Sequence, residues 1–221
     1  MNDKTNWNVS GLILEGVSGT GKTAVFNKIL KNSRFVNRSF HSSIVLSEYH
    51  TQRILENKDR QSGLTVEDNL TLLESHVAYI ESINRYLEQM DWCEENTTDM
   101  RVPYLFERFH LTHVYQYAHM DWEKVQDIDK RLVDLNCKLV IFKTDSKVLS
   151  ERLFGKPEKS WLNYLKRFGN TEKEIVNNFA GQQKELLKIA ENSELTSHII
   201  DTSNSKTEEI ADEIMDFWGF E

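Results

Sequence analysis

Eight consecutive residues, Gly16-Val17-Ser18-Gly19-Thr20-Gly21-Lys22-Thr23, match the pattern G-x-x-x-x-G-K-T. Their types suit the holding of a polyphosphate. A glycine-rich backbone can curl until successive N–H groups converge on phosphate oxygens. In such a loop Gly16, Ser18, Gly19, Thr20 and Gly21 form the cradle, Lys22 reaches the β- and γ-phosphates, and the Thr23 hydroxyl ligates Mg²⁺. The flanks agree with this reading. Leu12-Ile13-Leu14-Glu15 reads as a short apolar strand, and residues 24–30 read as a helix whose positive end faces the anion.

Three other places carry charge directly after an apolar run. Glu107-Arg108 follows Pro103-Tyr104-Leu105-Phe106. Phosphoryl transfer uses both types: a carboxylate holds hydrated Mg²⁺ or orients the attacking oxygen, and a guanidinium clamps phosphate oxygens with its planar fork. Glu48, past the run at 43–47, is placed either as a general base or acceptor contact, or as a solvated glutamate at a helix start. Arg53, one turn later, reads first as part of a solvated helix face and second as a contact to an acceptor phosphate. After the run at 138–143, Arg152 leads into Gly155-Lys156-Pro157-Glu158-Lys159, with Lys166 and Arg167 beyond. Basic side chains on a flap can close over a transferring group, neutralise developing charge and exclude water, which marks about 152–168 as a lid and Arg152 as its leading member.

Five short apolar runs, at 12–15, 43–47, 102–106, 138–143 and 197–201, alternate with longer stretches of helical spacing. That alternation predicts an α/β chain with a five-stranded parallel sheet covered on both faces, organised as one domain over 1–221. Open sheets of this kind bind ligands at the carboxyl ends of their strands, where all the charged candidates fall. Leu73, Val77, Ile80, Leu87 and Met90 predict one helix from about 66 to 93, long enough that part of it can serve a homodimer interface beside its core-packing role. Ile175, Phe179, Leu186 and Ile189 mark a second helix; Ile210, Ile214, Phe217 and Trp218 mark the last.

Bulk properties narrow the classes. In 221 residues the net charge is −8, which disfavours a nucleic-acid partner but not a small phosphorylated ligand held in a locally basic cleft. No apolar run approaches the ~20 residues that span a bilayer, and the first residues lack the order of a signal peptide. Cys93 and Cys137 stand apart without metal-ligand spacing, so a reduced, cytoplasmic location is expected. His110 and His113 stand three apart with no third ligand evident, which favours a helix-surface or acceptor-pocket role over a metal. Trp92, Trp122 and Trp161 read as packing residues, with Trp161 the exception because it adjoins the lid.

Taken in order, these stretches resemble the nucleoside and nucleotide kinases of the P-loop group, especially thymidylate and deoxynucleoside kinases. Leu14-Glu15-Gly16 through Thr23 is similar to their Glu-Gly entry to the loop. Glu107-Arg108-Phe109-His110-Leu111-Thr112 resembles Asp-Arg-Tyr-x-x-Ser with Glu for Asp, and the stretch from Leu139 through Arg152-Leu153 resembles the strand and helix before the lid. The tail Ile199-Ile200-Asp201-Thr202-Ser203 resembles the adenine-side loop, which implies a nucleotide contact at Ser203. Ser18 stands where thymidylate kinases carry an acid in the loop, their Arg-Glu-Pro-Gly-Gly-Thr stretch is missing, and Tyr49 follows Glu48 where deoxynucleoside kinases have proline.

The resemblance implies a three-layer P-loop fold with a small lid. It also implies an ATP- and Mg²⁺-dependent transfer to a small-molecule acceptor: a nucleoside monophosphate or a nucleoside. Lys22, Arg108 and Arg152 would neutralise charge, and Thr23 and Glu107 would hold the metal. A kinase of another small molecule or of a nucleic-acid end is the neighbouring reading. A regulatory NTPase is the distant one: Phe142-Lys143-Thr144-Asp145 lacks the Asn of a guanine-reading Asn-Lys-x-Asp, and no D-x-x-G occurs.

Overall fold

The computed structural model describes residues 8–38, 42–90, 101–155 and 158–220. The expectations placed on Trp92, Cys93 and Lys156 lie outside these residues. The sheet is formed by β1 (Val9–Glu15), β2 (Ile44–Leu46), β3 (Val102–Glu107), β4 (Cys137–Lys143) and β5 (Thr196–Asp201). All four pairings are parallel and the spatial order is β2-β3-β1-β4-β5. β1 is central and buried along its whole length, so it begins at Val9, earlier than the run of large apolar residues that announces it.

Period-two alternation divides the strands between two cores. Val9 and Ile13 of β1, Tyr104 and Phe106 of β3, and Leu139 and Ile141 of β4 face one side. There they meet α4 (Val66–Gln89) through Leu73, Val77 and Ile80, and α6 (Trp122–Asp134) through Val125, Ile128 and Leu132. Leu12, Leu14, Leu105, Val140 and Phe142 face the other side, against α1 (Lys22–Ile29), α2 (Ser33–Arg38) and α10 (Thr207–Trp218). The result is the expected three-layer α/β arrangement.

The remaining helices are α3 (Ile54–Ser62), continuing a π-helical turn at Tyr49–Arg53, α5 (His110–Gln116), α7 (Ser146–Phe154), α8 (Lys159–Leu165) and α9 (Glu172–Ala190). α4 starts at a reciprocal cap, Thr65 with Asp68, and ends at Gln89, inside the predicted span. Within the stretch expected as a lid, about 152–168, the described apolar side chains are packed down. Val17, Leu149, Leu153, Leu165, Ile175, Val176 and Phe179 form a third apolar cluster. Trp161 stacks on Tyr164 with centroids 5.2 Å apart, Tyr164 meets Phe168 at 5.1 Å, and Phe168 meets Phe179 of α9 at 4.7 Å. Among the described residues no helix is long and apolar enough to cross a membrane.

Candidate active site

The loop after β1 takes the form its glycines permit. Gly19 has φ +88°, and a Cβ there would stand 2.8 Å from Leu149 Cδ1. Gly21 also has φ +88° and opens α1, so the helix starts at Lys22 with its first N–H groups turned to the loop. Lys22 is 4 % exposed. Burial, aided by the neighbouring Arg108 charge, lowers its ammonium from 10.5 to about 7. An anion in the loop restores the charged form, so the site is electrostatically suited to phosphate.

Glu107 ends β3 directly beside this loop, because Leu14 of β1 is its register partner. Its carboxylate Oε1 accepts from Thr23 Oγ1 at 2.5 Å, and its Oε2 from the Glu48 N–H at 3.5 Å. A hydroxyl and a carboxylate brought together are the hard oxygen donors that Mg²⁺ takes. Magnesium needs few protein ligands, and among the described residues no cluster of three or more His, Cys, Asp or Glu offers a dedicated cage.

Arg108 adopts φ +59°, one of two non-glycine residues with positive φ among those described. Its guanidinium donates in three directions: Nε to Glu48 Oε2 at 2.9 Å, Nη1 to Tyr115 Oη at 3.2 Å, and Nη2 to Ser18 Oγ at 3.1 Å. Burial opposes its charge, but the surrounding Tyr115, Glu48, Tyr164 and Glu15 together outweigh burial and hold its pKa above the ordinary arginine value. Glu48 also pairs with Arg53 Nη2 at 2.8 Å. A continuous chain, Ser18–Arg108–Glu48–Arg53, therefore runs from the phosphate loop across the sheet edge. Arg53 is half-buried and reaches the site, contrary to the solvated face favoured from sequence, because Glu48 draws its guanidinium into an ion pair.

A cavity of about 450 Å³ joins these groups, lined among others by Ser18, Lys22, Thr23, Glu48, Arg108 and Arg152. A second, of about 510 Å³, shares Arg53 and Trp161 with the first and adds Arg60, Tyr164 and Arg167. Five sequence candidates stand differently from their expected roles. Glu107 is buried and absent from the cavity lining, and it meets the cavity through its hydrogen bond with Thr23. Gly16 and Thr20 are absent from the cavity lining; the Thr20 side chain is fully buried and donates to the Val17 carbonyl at 2.9 Å, shaping the loop from within. Arg152 lines the cavity but bonds the loop's own backbone: Nη1 donates to Thr20 O at 3.2 Å and to Thr202 Oγ1 at 2.8 Å, and Nη2 to Thr202 O at 2.6 Å. It ties the phosphate loop to the end of β5. Ser203 accepts from the Asp145 N–H at 2.9 Å and stays out of the lining, while Thr207 at the start of α10 contributes instead.

The two histidines are core residues, not surface or pocket groups. Both are fully buried. His110 Nε2 lies 2.9 Å from Asp129 Oδ1, and His113 lies 2.8 Å from Asn69 Oδ1 and 2.9 Å from the Thr51 carbonyl. Burial lowers the His113 imidazole to about 4. Long-range packing of α5 against α6 and α9, with Asn69 of α4 closing on His113, causes this, and no three-residue spacing reveals it. Cys137 is buried, and burial raises its thiol to about 12.

No family model and no curated protein matches this sequence. Solved structures do. The YorR protein from Bacillus subtilis, in complex with phosphorylated GDP, superposes with a TM-score of 0.59 at 15 % identity, covering 94 % of this chain and 95 % of that one. Shikimate kinase from Acinetobacter baumannii, in complex with shikimate, gives a TM-score of 0.53 at 12 % identity, covering 95 % and 92 %. The chain shares their fold, a five-stranded parallel sheet flanked by helices. At such identities the likeness establishes the fold, and the chemistry has to be argued from the site.

Proposed function

We propose that this protein is an ATP-dependent kinase that moves the γ-phosphoryl group to a small-molecule acceptor, a nucleoside monophosphate or a nucleoside. The observation that carries this is the shared cavity. The phosphate loop supplies Ser18, Lys22 and Thr23, and separate elements bring Glu48, Arg53 and Arg108 into the same space. A switch protein needs only the loop; a transfer site needs charged groups on the acceptor side as well. Catalysis would consist of positioning and charge neutralisation. Lys22 and Arg108 bear on the phosphate oxygens, and Glu48 orients Arg108 or receives the acceptor proton. Magnesium held by Thr23 and Glu107 would supply further neutralisation of phosphate charge.

The second cavity favours an acceptor that carries its own anion. Arg53, Arg60 and Arg167 line it together with the carboxylates of Glu56 and Glu158; Arg60 pairs with Glu56 and Arg53 with Glu48, so Arg167 is the cation that carries this reading, and Trp161 and Tyr164 supply stacked aromatic walls. Arg167 lies 5.6 Å over the Tyr164 ring, a cation–π contact at the cavity wall. Shikimate, bound by one of the structural neighbours, is also an anion, so hydroxy acids belong in the acceptor panel. The test is a screen of nucleosides, nucleoside monophosphates, sugars and hydroxy acids with ATP and Mg²⁺, read as phosphate transferred to product. Transfer that Lys22→Ala abolishes in a folded protein supports the proposal. Undiminished transfer in that variant, or ATP consumption indifferent to every acceptor, overturns it.

A further inference from the structure

We propose that Glu15 is the positioning residue for Arg108. This rests on the reading of Arg108 as a phosphate-contacting group. Glu15 is the last residue of β1 and is fully buried. A carboxylate in such a place is strongly unfavourable unless its oxygens are hydrogen-bonded. Its partners all come from the chain immediately after Arg108. Oε1 accepts from the Phe109 N–H at 2.8 Å and the Thr112 N–H at 3.1 Å, and Oε2 accepts from the Thr112 hydroxyl at 2.5 Å.

The peptide on the other side of Arg108 is tied to the same strand, because the Arg108 N–H donates to the Leu14 carbonyl at 2.9 Å. Arg108 is therefore clamped at both ends by the last two residues of β1. The clamp explains its φ of +59°. A left-handed conformation is disfavoured for a non-glycine residue and persists only where its surroundings impose it. That conformation sends the side chain to Ser18, Glu48 and Tyr115 together; a relaxed backbone would redirect it. Glu15 also contributes to the field that favours the charged forms of Arg108 and Lys22.

Glu15→Gln keeps the geometry: its amide oxygen accepts both peptide N–H groups and its NH₂ donates to Thr112. Glu15→Ala removes all three anchors. Two readouts test the proposal. The first is transfer kinetics for Glu15→Ala, Glu15→Gln, Arg108→Ala and the double variant Glu15→Ala/Arg108→Ala. The second is the Arg108 Nε–H signal in ¹⁵N-labelled protein, assigned by its loss in Arg108→Lys.

Glu15→Ala is expected to lose about a hundredfold in kcat with much less change in the KM for ATP, since a small misplacement of a contacting group has that effect. Glu15→Gln should recover most of it. Glu15→Ala should add little in the Arg108→Ala background, because both changes remove the same group from its place. The Arg108 signal should move to the position of a free arginine in Glu15→Ala and stay in Glu15→Gln. Equal losses in both backgrounds, or an unmoved signal in folded Glu15→Ala, would overturn the role. Should Glu15→Ala not fold, Glu15→Asp, which withdraws the carboxylate by one methylene, takes its place. If no acceptor is phosphorylated, the functional reading fails while the Arg108 signal still decides this one.

Discussion

Nucleotide binding should take up a proton, and Lys22 should be its destination. In the free protein burial and Arg108 hold Lys22 at about 7 against an ordinary 10.5. At about pH 8 only about a tenth of the free protein then carries a charged Lys22. Phosphate in the loop favours the ammonium and returns its pKa above that pH, so binding takes up about 0.9 proton per site. At about pH 7 the uptake falls to about 0.5, because half of the sites are already charged. The nucleotide's own phosphates are deprotonated at about pH 8 and contribute nothing there.

Titration calorimetry with ADP in two buffers of different ionisation enthalpy reads the number directly, and Lys22→Met should abolish it. The same shift acts on folding. With no ligand bound, the unfolded chain holds more protons at Lys22 than the folded one between about pH 7 and 10.5, so this group makes stability rise with pH across that window. Uptake below about 0.2 proton at about pH 8 in the wild type would mean that Lys22 is charged before the nucleotide arrives, and would refute the reasoning.

Three other outcomes are expected. Arg108→Ala should lower kcat by about a hundredfold or more while ATP affinity changes little, as for a charge clamp acting in the transition state; a selective loss of ATP binding in equilibrium titrations contradicts that role. Arg53→Ala should raise the KM for the acceptor about tenfold and leave that for ATP nearly unchanged, because its guanidinium faces the second cavity as well as Glu48; steady-state kinetics with each substrate varied checks this. Phe179→Ala should destabilise the fold by about 3–5 kcal/mol in urea unfolding, since that ring is 1 % exposed and anchors the aromatic stack under α8.

Much of this protein is legible in its residues because the signals are local. The glycines, lysine and threonine at 16–23 specify a loop conformation and a ligand charge within eight positions. The alternation of short β-rich runs with helical stripes specifies a parallel sheet, because consecutive parallel strands need a crossover between them. The sheet order then brings Glu107-Arg108 beside the phosphate loop, as their place after a strand implies. Arg152 is legible as a member of this edge but not in its contacts: its partners, Thr20 and Thr202, are 132 and 50 residues away.

Sequence alone determined the phosphate loop, the α/β class and the neighbourhood of the charged groups. Their division of labour belonged to the tertiary structure. Only the packed chain turns Arg53 inward to Glu48, buries His110 and His113 in the core, assigns Thr20 to the loop's interior and brings Thr207 rather than Ser203 to the cavity. Glu15 is the sharpest case. In the chain it is one acid at the end of an apolar strand. In the fold it holds the residues that follow Arg108, 94 and 97 positions away, because β1 and β3 are neighbours in the sheet. Hydrogen bonds between distant segments leave no periodic trace, and only the folded arrangement of strands decides which side chains they join.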